Sequence, residues 1–361
     1  MTDSSSHIDA LRGRIDALDE EIVRLVNERA RAAAEIGRIK RQTGDATYAP
    51  ARERAVLDRV LAANGGPLRN DTILAIYREL MSGSFTLERA PRVAYLGPAG
   101  SFSHVAARRK FGTSVEFEPL KHIAAVFDEI ARGHVDLGIV PIENTLGGGV
   151  VDTLDAFTGS PVKICAEINL SVQQHLLANC SLEQIEKVYS KPEVFAQCQK
   201  WLTETGFGVR TIAVASTSKA AEMAAEEKGA AAIGSELAGE IYGLQKICDR
   251  IEDDPDNVTR FLVVGRESPP PTGHDKTSLL FMAADEPGSL VEVLDVFRRA
   301  GVNMTFIESR PSRQKKFEYC FFVDIAGHQQ DASITTAIDM VRGHCRSLDV
   351  LGSFPRADEI V

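Results

Sequence analysis

Ile8, Leu11, Ile15, Leu18, Ile22 and Leu25 follow one another at alternating spacings of three and four, and no proline interrupts the pattern before Thr43-Gly44. A helix over residues 6–41 would be roughly 50 Å long, which exceeds the width of a small domain. It needs a partner of its own length to bury the seam, and a second copy of the chain is the simplest source. Two shorter helices follow, over 52–63 after Pro50 and over 70–88 after the Gly65-Gly66-Pro67 break. Residues 1–90 therefore read as an all-α domain within a homodimer or higher homo-oligomer.

Arg29 sits on the continued seam, where an unpaired charge is costly. It either fixes register as a polar seam residue or is neutralised by a bound anion. Lys40 lies about 20° from it around an ideal helix, so the two can lean into one pocket; Arg12 is roughly 100° off that face and would serve a partner's pocket instead. The run Leu11-Arg12, Ile15-Asp16, Leu18-Asp19, Glu28-Arg29, Lys40, Arg52-Glu53-Arg54 and Ser84 to Glu88 resembles the all-helical chorismate mutase family. That resemblance implies that Arg12 of a second protomer, Arg29, and Arg52 or Lys40 hold the two carboxylates of chorismate. Lys40 and Glu88 would face the ether oxygen, while Glu53 and Ser84 would contact the ring hydroxyl and a carboxylate. A Claisen rearrangement needs no nucleophile, only clamping of the folded conformer and stabilisation of charge on the breaking bond. Ala49 stands where the family often has an acidic residue, and Glu88 can donate to the ether oxygen only when protonated. A mutase domain that only dimerises is the alternative.

From residue 91 apolar runs alternate with helical patterns, at 92–96, 114–120, 135–140, 162–170, 188–189, 209–215, 230–233 and 261–264. The alternation predicts an α/β domain with an open, largely parallel sheet, or two of them. Several strands end in small polar residues that start a helix: Ser101 in 97–104, Ser216-Thr217, and Ser235. Helix N-termini with free N–H groups bind carboxylates. With Glu143-Asn144 and Thr259-Arg260 they would line a cleft.

The set GPAGSFSH (97–104), VPIENTLGGGV (140–150), YSKPEVFAQC (189–198), GSELAGEIYGL (234–244) and NVTRF (257–261) resembles prephenate dehydratase. This implies a two-lobed fold like the type II periplasmic binding proteins over 91–267, with crossings near 171–174 and 247–257. It also implies conversion of prephenate to phenylpyruvate, water and CO₂, with Thr259 as the catalytic residue. A threonine hydroxyl is a poor acid, so it reads as a hydrogen-bond donor or relay to the leaving group, with Arg260 as anion partner or structural prop. Glu143 and His104 are rival proton sources. Asn144, Ser101, Ser216, Thr217 and Ser235 complete the expected lining.

Residues 268–273 (SPPPTG) form a stiff linker. Beyond it the pattern is strand, helix, strand, strand, helix, strand, the ferredoxin-like α+β order, over 277–361. Pro287-Gly288-Ser289-Leu290-Val291 and Glu308-Ser309-Arg310-Pro311 resemble the ACT regulatory domain. By resemblance two such domains pair, L-phenylalanine sits in the interface, Gly288 gives close backbone approach and Glu308 or Ser309 meets its ammonium. The whole is multidomain, expected to be a bifunctional enzyme inhibited by phenylalanine. A monofunctional dehydratase, an arogenate-preferring one and a phenylalanine-sensing binding protein are the rivals.

A net charge of −10 argues against a general nucleic-acid or membrane surface, so positive partners for anionic substrates must be placed locally. The six cysteines show no C-x-x-C spacing, which predicts no metal, and no cofactor is expected. The polar start and the lack of an 18-residue apolar run make a cytoplasmic location the expectation.

Overall fold

The computed structural model describes residues 2–43, 48–88, 90–284, 286–311, 319–357 and 359–361. The chain divides into two compact units, the first built from residues 1–49, 55–91 and 111–116 and the second from the remainder. In the first, one helix runs from Thr2–Thr43, longer at both ends than the seam required, and packs against the helix Asn70–Glu88. The six seam residues remain about half exposed, from 47% at Leu11 to 56% at Ile22. Within this chain the apolar face is left without cover, as its length foretold.

The second unit holds three sheets. The first has the order Glu116–Leu120, Arg92–Leu96, Leu137–Asn144, Val258–Gly265, Lys163–Ser171. Arg92–Leu96 runs parallel to Leu137–Asn144, but Val258–Gly265 is antiparallel to both of its neighbours. The second sheet, Gln245–Cys248, His175–Ala178, Ala230–Gly234, Lys187–Ser190, Thr211–Ala213, is also mixed. The expectation of largely parallel sheets is thus corrected. A chain that leaves one lobe for a second and comes back must insert a returning strand against the original direction. The crossings fall where expected and bond to each other, Val172 N–H to Asn257 O at 2.8 Å and Ile251 N–H to Gln174 O at 2.8 Å.

The third sheet has the order Met304–Pro311, Tyr319–Ala326, Asp275–Ala283, Cys345–Pro355, the ferredoxin-like arrangement. One face carries the helices Ser289–Arg299 and Ala332–Gly343 over a core of Leu279, Phe281, Val293, Phe297 and Ile338. The other face lies on the first sheet. Leu280, Phe322, Leu351 and Phe354 share one core with Ile164, Leu262 and Val264. Gly352 allows the approach, since a Cβ there would meet the Ile164 carbonyl oxygen at 2.4 Å.

Candidate active site

An inner strand of the first sheet begins at Val258, so Thr259 stands at its mouth, half-buried and paired with Asn144 on one side and Leu170 on the other. Asn144 is the bracket of the site. Its Oδ1 accepts the backbone N–H groups of Leu146 (3.0 Å) and Gly147 (2.9 Å), which fixes the amide's orientation. Its Nδ2 therefore points at Thr259 Oγ1 (2.8 Å), Asn257 Oδ1 (2.8 Å) and the Val258 carbonyl (3.3 Å). Because Thr259 Oγ1 accepts from an amide, its own proton is left to donate. Thr145 and Val258 tie the same corner, each N–H bonded to the other residue's oxygen at 3.0 Å. Asn257, which the sequence reading left out of the site, is buried and orients Asn144; its place in the motif just before Thr259 was the available signal.

Of the two roles expected for Arg260, anion partner or structural prop, its ion pairs fit the second. Successive strand residues point to opposite faces, and its guanidinium goes away from Thr259 to Glu167 (2.7 Å) and Asp324 (2.5 Å). Burial opposes its charge, but Asp324 and then Glu167 outweigh this and hold the pKa above the ordinary arginine range. Glu143 stands opposite Arg260 in the pairing, so alternation sends it to that same face, away from Thr259.

The helix-start hydroxyls are largely committed. Ser101 Oγ donates to the Leu96 carbonyl (2.9 Å). Ser216 and Ser235 cap their helices by accepting from Lys219 N–H (3.0 Å) and Ala238 N–H (3.2 Å). Ser235 also donates to the Gly100 carbonyl at 2.6 Å, and a Cβ on Gly100 would lie 2.9 Å from Ala238 Cα. Ser235 is thus a latch between the lobes. Thr217 is buried against Gly234.

His104 stacks on Tyr95, ring centroids 4.6 Å apart, and its Nδ1 accepts Gly100 N–H at 3.1 Å. Burial, then Arg108, lowers its pKa to about 4. It is a neutral Nε2–H imidazole above pH 5. A histidine that is neutral when folded but charges near 6.5 when unfolded makes the unfolded state bind more protons between those values, so stability falls as pH drops from 6.5 towards 4. We expect His104→Gln to make that slope shallower in urea titrations across this range. An unchanged slope would show that His104 is not held neutral.

Three family models match in order: chorismate mutase type II over residues 11–89, prephenate dehydratase over 93–269 and the ACT domain over 277–340. A relative from Aquifex aeolicus (strain VF5), named bifunctional chorismate mutase/prephenate dehydratase, is 44% identical over 96% of this chain and 97% of its own. The chain belongs to the bifunctional chorismate mutase/prephenate dehydratase family. Among solved structures, a prephenate dehydratase in complex with L-Phe from Arthrobacter aurescens matches with TM-score 0.69 and 32% identity, over 74% of this chain and 90% of its own. A structure titled as a novel type of quorum quenching acylase also reaches 0.69, with 28% identity over 74% and 98%. The fold alone therefore does not fix the reaction.

Of the residues expected at the family's mutase site, Arg29 and Ser84 come together, Nη1 donating to Oγ at 3.1 Å. Lys40 is half-buried on the same helix. Arg12 is exposed and pairs with Asp9 (3.3 Å), far from Arg29 along the helix. Arg52 and Glu53 occupy the first turn of Pro50–Ala63, and the Glu53 carboxylate pairs with Lys110 at 3.0 Å. The Glu88 side chain lies outside the described residues.

In the ACT region Gly288 takes a left-handed conformation (φ 93°) and starts the helix Ser289–Arg299. Gly288, Ser289, Leu290 and Val291 line a concavity of about 480 Å³ with Tyr319 and Phe321. On the edge strand Met304–Pro311, Ser309 stands opposite Phe321 of that lining, whereas alternation sends Glu308 and Arg310 to the other face, with the Glu308 carboxyl against Gly149.

Proposed function

We propose that the chain performs two consecutive reactions, chorismate to prephenate in the helical domain and prephenate to phenylpyruvate, CO₂ and water beside Thr259. L-Phenylalanine bound to the C-terminal domain lowers the second. The observation that carries the reading is the Asn144–Thr259 hydrogen bond with Asn144 held as donor. In dehydration the ring carboxylate leaves as CO₂, its electron pair becomes a ring π bond, and the C–O bond breaks as the ring becomes aromatic. The departing oxygen needs a hydrogen bond as charge grows on it. Thr259 supplies one, and accepting from Asn144 strengthens its donor character. His104 is neutral and its Nδ1 is taken up by Gly100 N–H, and alternation directs Glu143 to the other face, which favours the Asn144–Thr259 pair as the group that meets the leaving oxygen.

Arg29 with Ser84 would grip a chorismate carboxylate, and Arg12 of a second protomer would complete the clamp. The half-exposed seam of the helix Thr2–Thr43 fits a homodimer, and pairing of the edge strand Met304–Pro311 would bring the Glu308 motif of one chain towards the Gly288 pocket of another. Domain limits at residue 90 and within 267–277 follow from the same reading. No helix among the described residues is long and apolar enough to cross a membrane, which agrees with work in the cytoplasm.

Purified protein given chorismate at pH 7.5 should lose chorismate and form phenylpyruvate, and added L-phenylalanine should slow only the second step. Turnover of prephenate alone would reduce the helical domain to a dimerisation scaffold, with Ala49 and Glu88 as first suspects.

A further inference from the structure

Between the first sheet and the C-terminal sheet lies a buried cluster of four charges that the chemistry above does not use. Arg260 Nε meets Glu167 Oε2 at 2.7 Å and Nη2 meets Asp324 Oδ2 at 2.5 Å. Lys276 Nζ reaches Glu167 Oε1 at 3.0 Å, and Ala357 N–H donates to the same oxygen at 2.9 Å. Ser278 Oγ donates to Asp324 Oδ1 at 2.5 Å. Both carboxylate side chains are fully inaccessible and that of Arg260 is 10% exposed. Two cations and two anions balance, so removing one leaves an uncompensated buried charge. Asp324, Lys276 and Ser278 belong to the C-terminal sheet, Glu167 and Arg260 to the sheet that carries Thr259.

We propose that Arg260 is a positioning residue for dehydration: its clasp on Asp324 and Glu167 fixes the strand whose next side chain, on the opposite face, is Thr259. A peptide unit is planar and a strand alternates, so a guanidinium held at Nε and Nη2 on one face sets the direction of the neighbouring side chain on the other. The C-terminal sheet thereby becomes part of what aims the Thr259 hydroxyl. The same link gives a bound effector on that sheet a physical route to the catalytic strand, provided it binds the two arrangements with different affinity.

The inference rests on Thr259 being catalytic. The test uses Asp324→Asn, which removes the charge facing Arg260 while keeping an oxygen for Ser278, and Arg260→Lys, which keeps the charge but not the fork. For Asp324→Asn in the full-length protein, kcat for prephenate should fall at least about tenfold with KM changed less than about threefold. Chorismate turnover in the same preparation should be unchanged. Arg260→Lys should fall between this variant and the parent. In a Thr259→Ala background Asp324→Asn should have no further effect on the residual rate, because there is no hydroxyl left to aim. Parental kcat in both single variants would overturn the proposal, and so would an equal proportional loss with and without Thr259, the mark of a merely structural role. If Thr259→Ala itself keeps the parental rate, it is the catalytic reading that fails.

Discussion

Thr259→Ala is expected to lower kcat for dehydration by about 10²–10⁴-fold, the range for loss of a positioned proton-handling group. KM should change little and chorismate turnover not at all, since Arg29 and Ser84, proposed for the mutase site, lie in the other compact unit. The fold should survive, because the hydroxyl is only half-buried and its bond to Asn144 is one of three that Nδ2 makes. Thr259→Ser, which retains the hydroxyl but frees its rotation, should recover most of the loss. A full rate from the alanine variant, measured as phenylpyruvate formed from prephenate, would remove Thr259 from the mechanism.

Asn144→Asp should be at least as damaging, for a different reason. The substitution changes one atom and puts a carboxylate oxygen against Thr259 Oγ1, Asn257 Oδ1 and the Val258 carbonyl, all three now facing an acceptor. The threonine proton would turn inward to the new carboxylate and away from the leaving group. Asn257 Oδ1 would lose the donor shown here, and a buried group left unsatisfied costs about 1–3 kcal/mol. We therefore expect a lower melting temperature together with a loss of kcat close to that of Thr259→Ala at pH 7.5. Acceptors crowded around a carboxylate raise its pKa, and a protonated acid can donate where the amide did. Part of the activity should return as the pH is lowered towards 5.5. A variant with parental kcat at pH 7.5, or one whose activity falls further on acidification, would show that Asn144 does not act as donor to Thr259.

Much of the architecture was legible in the residues. The seam from Ile8 to Leu25 specified a long helix with one uncovered apolar face, because a 3.6-residue period and a lack of prolines admit little else. The ferredoxin-like order was legible for a similar reason, as the element lengths and turn residues of 277–361 leave few alternatives. Three helix-start serines were expected to line the cleft, but a hydroxyl's partner is a matter of geometry. Only the folded lobes reveal that Ser235 gives its proton to the Gly100 carbonyl. Parallel sheets were the wrong expectation because periodicity reports which residues are buried and not the direction from which a returning strand enters.

The sequence by itself determined that Thr259 and Arg260 would point to opposite faces of a strand, since alternation is a property of the extended backbone. It could not say which of them would be taken up by a buried ion pair. That was decided by what covers the other face: the C-terminal sheet supplies Asp324 and Lys276 there, from residues more than 10 positions away in the chain and on different strands. A guanidinium taken out of water must find carboxylates; Glu167 stands on the neighbouring strand of the same sheet, and Asp324 arrives only once the two sheets have docked. Local pattern fixed the strand, and long-range burial of charge decided what lies on the Arg260 side of it.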